Sequence, residues 1–263
     1  MTADMRMVFA GSAAAFATCA GNFHSNVVVE TADAGGETRR LLIDCGSDAR
    51  WSLKELGLGY TDIDAVYVSH LHGDHVGGLE WLGVLRYFHQ PRRRPALFVP
   101  APIRRPLWDT CLKGTMTLLD FGPADLESFF EVTEVPEDEG FTWMGIRFDL
   151  VPLVHLRGGG YVLWSYGLRI GTARGEVFFT SDCRFERDRL DSGYERAALI
   201  FQDCETQAPR TGAHPHFEDL CTLPDGIREK MWLYHVNCPP LPDARAAGFR
   251  GIVAPRQDFS FPL

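Results

Sequence analysis

The chain has 263 residues, of which 45 % are hydrophobic and 23 % charged, and a net charge of −9. That balance excludes a disordered or fibrous protein and argues against a long polyanion as partner, because such partners are met by basic surfaces. No apolar run is long enough to cross a bilayer, and without repeats or low-complexity linkers one compact domain over residues 1–263 is expected.

Arg6 followed by Met7–Ala20 has the look of a short secretory signal, but Gly11-Ser12 interrupts the run and Asp4 spoils its basic flank. It reads instead as a retained strand in a cytoplasmic protein. The seven cysteines are scattered, odd in number and without a Cys-x-x-Cys pair, which fits reduced core thiols. Cys45, Cys183 and Cys204 adjoin polar strand ends and read as buried structural thiols.

Leu41-Leu42-Ile43 is a strand-like run ending at Asp44. The buried run Ala65–Val68 leads into Ser69-His70-Leu71-His72-Gly73-Asp74-His75, the most informative segment of the chain. Three imidazoles and a carboxylate are the donors of zinc-like divalent ions. Their spacing is too tight for one helical face, so a loop at a strand end is expected to converge them, with Gly73 as hinge and Gly77-Gly78 as the turn out. Helical patterns follow at Gly78–Gln90, Ile103–Lys113 and Pro123–Phe129, and Arg92-Arg93-Arg94 between prolines reads as a solvated loop. Glu131–Gly140, acidic and punctuated by Pro136, reads as a surface turn. Leu150–Val154 ends at His155, and Tyr161–Ile170 and Glu176–Phe179 read as two strands around a tight Gly171–Gly175 turn. Val177–Ser181 ends at Asp182, and Met231–Tyr234 at His235. Short strands alternating with helical runs suggest two packed sheets with helices outside.

His-x-His-x-Asp-His after a strand resembles the signature of the metallo-β-lactamase-fold hydrolases, and Asp44, His155, Asp182 and His235 follow in that family's order. The resemblance covers nearly the whole chain and implies a four-layered αββα sandwich of α/β class. It implies two divalent ions, zinc or manganese: one on His70, His72 and His155, the other on Asp74, His75 and His235, with Asp182 bridging. Asp44 then supports the histidine loop. Such a pair activates water and clamps both oxygens of a displacement, which suits phosphodiester hydrolysis.

Phe201-Gln202-Asp203-Cys204-Glu205-Thr206 followed by His214-Pro215-His216 resembles the phosphodiesterase branch of the fold, where a Glu–His pair protonates the leaving alkoxide. Transferred here, Glu205 orients His216, or with less support His214, as the acid. The short stretch between His155 and Asp182 leaves no room for the protruding arm of the long tRNA-processing enzymes. The Gly-Ser-Ala opening and the Gln-Asp-Cys-Glu-Thr and Trp-Leu-Tyr-His blocks look most like small bacterial and phage enzymes of the anti-Pycsar type. That likeness implies hydrolysis of 3′,5′-cyclic mononucleotides to nucleoside 5′-phosphates by a homodimer. The alternatives are tRNA 3′-end cleavage and hydrolysis of carboxylic esters or thioesters.

Overall fold

Apolar residues alternate along the strands with a period of two, and the two faces so defined belong to different cores. The computed structural model describes residues 4–91, 93–119 and 122–263. Its first large sheet has seven strands in the order Asp258–Pro262, Asp4–Phe9, Val27–Ala32, Thr38–Ile43, Ala65–Tyr67, Ala96–Pro100, Glu131–Val135. The second, also seven-stranded, runs Gly251–Ile252, Met231–Tyr234, Ala197–Asp203, Gly175–Phe179, Tyr161–Thr172, Ile146–Gly158, Gly140–Trp143.

Phe9, Val29, Ile43 and Tyr67 of the first sheet meet Phe148, Leu168, Phe179 and Phe201 of the second in a central core. Their chain neighbours Val8, Val28, Leu42 and Val66 turn outward, into a second core with the helices Ala49–Glu55 and Leu79–Phe88. Phe178, Ile200 and Leu233 do the same beneath the helix Arg187–Arg196. The expected αββα layering is therefore present. Each sheet contains a parallel set: Thr38–Ile43, Ala65–Tyr67 and Ala96–Pro100 in one, Gly175–Phe179, Ala197–Asp203 and Met231–Tyr234 in the other. Crevices beyond the carboxyl ends of parallel strands are where open α/β sheets bind ligands. Here Asp44, His70, Asp182, Asp203 and His235 all lie there. No helix among the described residues is long and apolar enough to cross a membrane.

Four local readings are corrected. The histidine segment is not wholly a loop, because Gly73–Val76 forms one helical turn behind His72. Gly77 and Gly78 are required by close approach: an added Cβ would lie 2.5 Å from the Gly73 carbonyl oxygen and 2.4 Å from that of Gly46, respectively. The acidic stretch opens as an edge strand, Glu131–Val135, leaving only the residues after it as a turn. Cys19 and Cys238 are joined by a disulfide, their Cα atoms 5.4 Å apart, although the sequence suggested reduced thiols throughout. The helical run at Ile103–Lys113 is realised as Ala101–Pro106 continuing through a π-helical turn, Leu107–Leu112. Arg92 lies outside the described residues; Arg94 of the same cluster donates to the Glu127 carbonyl.

Candidate metal centre

Three site-forming strand ends use a backbone conformation that L-residues rarely adopt. Asp44, Ser181 and His235 have φ of 61°, 54° and 55°. Such left-handed residues cost energy and gather where the surroundings dictate an unusual direction. Here each one turns the chain sharply as it leaves its strand. A bulge does the same on the long hairpin, where the register slips between Val154 and Leu156, so that His155 is the extra residue.

Two groups of candidate donors result, one of His70, His72, His155 and Asp182 and the other of Asp74, His75, Asp182 and His235. His72 Nδ1 lies 3.2 Å from His70 Nε2 and 3.1 Å from His155 Nε2. Asp182 Oδ2 is 3.8 and 3.9 Å from the same two Nε2 atoms. In the second group, His75 Nε2 is 3.1 Å from Asp74 Oδ2 and 3.3 Å from Asp182 Oδ2. His235 Nε2 is 3.3 and 3.4 Å from those same oxygens. Within each group the donor atoms lie no more than 4.8 Å apart. Asp182 belongs to both groups, and all seven residues are buried except His72, which is half-buried.

Hydrogen bonds on the far side of the rings decide which nitrogens face inward. Asp44 Oδ2 accepts His75 Nδ1–H at 2.7 Å and the Ser69 hydroxyl at 2.7 Å, and Asp44 Oδ1 accepts the Ser69 amide at 2.7 Å. Because its proton is committed to Asp44, the Ser69 oxygen accepts His70 Nδ1–H at 3.1 Å. Ala213 O accepts His155 Nδ1–H at 3.1 Å. His70, His75 and His155 therefore all present Nε2 lone pairs to the centre, as metal-ligating histidines with fixed outer partners do.

The donors fit divalent metal ions. Nitrogen atoms bound at ~2.0–2.1 Å around a tetrahedral ion stand about 3.3 Å apart, close to the spacing within the first group. His75 Nε2 and Asp182 Oδ1 are buried polar atoms with no hydrogen-bond partner among the described residues. Such atoms are costly unless something pairs with them. Burial holds the His155 imidazole down at about 4 and pushes His70 well below its ordinary value, keeping both in the neutral form that binds metal. Burial also opposes charge on His75, yet Asp182, Asp74 and Asp44 outweigh it and raise His75 well above the imidazole range. The pocket thus favours positive charge, which a divalent cation supplies.

A third constellation adjoins these. His214 Nδ1 donates to Asp203 Oδ2 at 2.9 Å. The His214 ring stacks on His235 at 4.9 Å and sits 5.0 Å from the His155 ring. Asp203, fully buried at the end of its strand, accepts Gln202 Nε2–H at 2.6 Å, and Gln202 in turn accepts the Tyr194 hydroxyl at 2.6 Å. Desolvation would lower His214, but the bond to Asp203 and the charges of Asp182, Asp203 and Glu205 raise it to about 9.

The expected Glu205–His216 side-chain pair is not among these contacts. The two residues pair through their backbones, but the Glu205 carboxylate accepts the Thr211 amide at 3.0 and 3.1 Å. His216 caps the helix Phe217–Leu220, its Nδ1 accepting the Glu218 amide at 3.3 Å. Asp203 was missed. Its position as the last residue of the strand Ala197–Asp203, beside the strands that lead to Asp182 and His235, was the available signal.

Fold and donor set together define a metal-dependent hydrolase of the metallo-β-lactamase fold. A structure of a metallo-β-lactamase-fold protein from Bacillus subtilis superposes with a TM-score of 0.70 at 18% identity, covering 98% of both chains. A diphosphatase from the PhnP family gives a TM-score of 0.70 at 18% identity, covering 100% of this chain and 99% of the other. The family model of the Anti-Pycsar protein Apyc1 matches residues 5–259, and the chain belongs to that family. The Paenibacillus harenae Anti-Pycsar protein Apyc1 is 34% identical over 200 residues, 74% of this chain and 77% of the relative. That of Saccharibacillus brassicae is 34% identical over 219 residues, 81% of this chain and 83% of its own length.

Proposed function

We propose that the chain hydrolyses 3′,5′-cyclic mononucleotides to nucleoside 5′-phosphates, with His214 rather than His216 as the proton donor. The observation that carries this reading is the His214–Asp203 pair, set against the rings of His155 and His235 at the edge of both donor groups. Membership of the Anti-Pycsar family supports a small cyclic nucleotide as substrate, and the net charge of −9 counts against a long polyanion.

His70, His72 and His155 would hold one divalent ion and Asp74, His75 and His235 the other, with Asp182 shared between them. Bound there, zinc or manganese ions would supply Lewis acidity and positive charge toward the phosphate oxygens. The chain's own contribution is the proton. Water adds to phosphorus as the bond from phosphorus to the 3′ oxygen breaks, and His214 Nε2–H protonates that oxygen as it leaves; one water proton stays on the new 5′-phosphate and the other passes to solvent, from which His214 regains its own. A ribose alkoxide is a poor leaving group, so a placed acid is worth ~10²–10⁴ in rate. Asp203 holds the Nδ1 proton, which leaves Nε2 as the donating atom. We further read the chain as a cytoplasmic homodimer, on the family resemblance; sedimentation of the purified protein checks the second part.

The test is product analysis of metal-loaded protein with cyclic AMP, GMP, CMP and UMP beside a tRNA precursor. Nucleoside 5′-phosphates, absent with an Asp74→Ala, His75→Ala double variant, are the expected products. Cleavage of the precursor alone would replace this reading with RNA processing.

A further inference from the structure

Glu205 is the one predicted catalytic carboxylate that meets neither a histidine side chain nor the donor groups, yet it is 7% exposed and so buries a polar side chain. Its surroundings assign it different work. The Glu205 amide donates to Pro215 O at 2.9 Å and Phe217 N–H donates to Glu205 O at 2.9 Å. The Glu205 backbone thereby closes the base of the loop 206–214. Its side chain then reaches inside, and both carboxylate oxygens face a single donor, Thr211 N–H, at 3.0 and 3.1 Å. Thr211 Oγ1 accepts the Ala213 amide at 3.1 Å, and Gly212 turns the chain between them with φ of 69°. From that corner Ala213 O reaches His155 Nδ1, and the next residue is His214. The far strand of the loop has no helix or sheet to define it; the carboxylate–amide contact holds it at Thr211, beside the ion pairs of Arg210 with Glu218 and Asp219.

We propose that Glu205 is a positioning residue: by holding the Thr211 amide it sets the corner that aims His214 and keeps the Ala213 carbonyl on His155. The inference rests on the phosphodiesterase reading above. It is a statement about reach. A carboxylate one methylene shorter keeps the charge but falls short of the amide, whereas an isosteric carboxamide keeps an acceptor oxygen there. A displaced proton donor should also matter in proportion to the leaving group's need for a proton.

The experiment compares metal-loaded wild type, Glu205→Asp and Glu205→Gln on a cyclic mononucleotide and on bis(p-nitrophenyl) phosphate, whose nitrophenolate leaves without protonation. For Glu205→Asp, kcat on the cyclic nucleotide should fall ~10–10²-fold with KM within about threefold, while the aryl diester loses less than about threefold. Glu205→Gln should stay within about threefold of wild type on both. In amide exchange, Thr211 and Ala213 should be deprotected in Glu205→Asp and not in Glu205→Gln. A Glu205→Asp enzyme equal to wild type, equal losses on the two substrates, or a Glu205→Gln as impaired as Glu205→Asp would overturn the proposal. A wild type that cleaves the aryl diester but no cyclic nucleotide would instead defeat the substrate reading, and the exchange contrast would then decide the role of Glu205 by itself.

Discussion

Asp44 touches His75 directly and His70 through Ser69, so one carboxylate fixes a ring in each half of the metal centre. The contact to His75 Nδ1 is 2.7 Å, and the path to His70 runs through the Ser69 hydroxyl at 2.7 and 3.1 Å. Asp44 also sits in the left-handed region with φ of 61°, which Asn tolerates and Ala resists. Asp44→Asn should therefore fold but present an amide N–H or a weaker acceptor to His75. Metal affinity should drop ~10–10²-fold at both positions, read by titration against a chromophoric chelator. Asp44→Ala should additionally lower the melting temperature.

On the proposed mechanism the alkaline limb of kcat should report the proton on His214. A general acid works below its pKa and is lost as pH rises through it. Burial opposes the charge on His214, but its hydrogen bond to Asp203 and nearby carboxylates lift it to about 9, and cations bound beside it will bring the limb lower than that. Asp203→Asn removes the lifting carboxylate. The limb should then move to lower pH with KM little changed, measured by kcat–pH profiles of both enzymes. A limb that stays in place would detach His214 from the rate.

Gly46 packs against the turn that carries two of the donors. A Cβ there would stand 2.0 Å from the Asp74 carbonyl oxygen, while Cys45 N–H donates to His75 O at 2.7 Å and Gly78 N–H to Cys45 O at 2.8 Å. Backbone lies against backbone, so nothing flexible can yield. Gly46→Ala should cost about 1–3 kcal/mol or more, seen as a lowered denaturation midpoint, and should weaken metal binding by shifting Asp74 and His75.

Gln202 and Tyr194 extend the support of His214 into the outer core. Both are buried, and each bond in Tyr194–Gln202–Asp203 is 2.6 Å. Gln202→Leu leaves the Asp203 Oδ1 atom short of its nearest donor, at a cost of ~1–3 kcal/mol in stability. Tyr194→Phe should be milder, about 1 kcal/mol, with kcat reduced more than KM. Chemical denaturation and steady-state kinetics on the same samples check both.

The candidate metal donors were legible in the sequence because their segments follow apolar runs, and because a strand end is a place where a residue can leave a sheet and face a shared crevice. His70, His72, Asp74, His75, His155, Asp182 and His235 could be found that way. The proposed acid could not be chosen so. Asp203 and Glu205 are two apart, as are His214 and His216, and a period of two puts both members of each pair on the same side. Only the point where the strand stops separates them: Ala197–Asp203 ends on Asp203, and Glu205 lies beyond it at the base of the next loop. The Cys19–Cys238 bond was invisible for another reason, since a sequence separation of 219 carries no local pattern. The helical turn at Gly73–Val76 was hidden because the ligand spacing was judged against one helical face, whereas only Asp74 and His75 come from the turn and His70 and His72 precede it.

The most direct measurement is kcat for cyclic-nucleotide hydrolysis by metal-loaded His214→Ala beside His216→Ala. His214→Ala should lose ~10²–10⁴-fold while retaining its metal, and His216→Ala, which removes only a helix cap, should stay within about tenfold of wild type. The reverse order, with His216→Ala inactive and His214→Ala near wild type, would contradict the assignment.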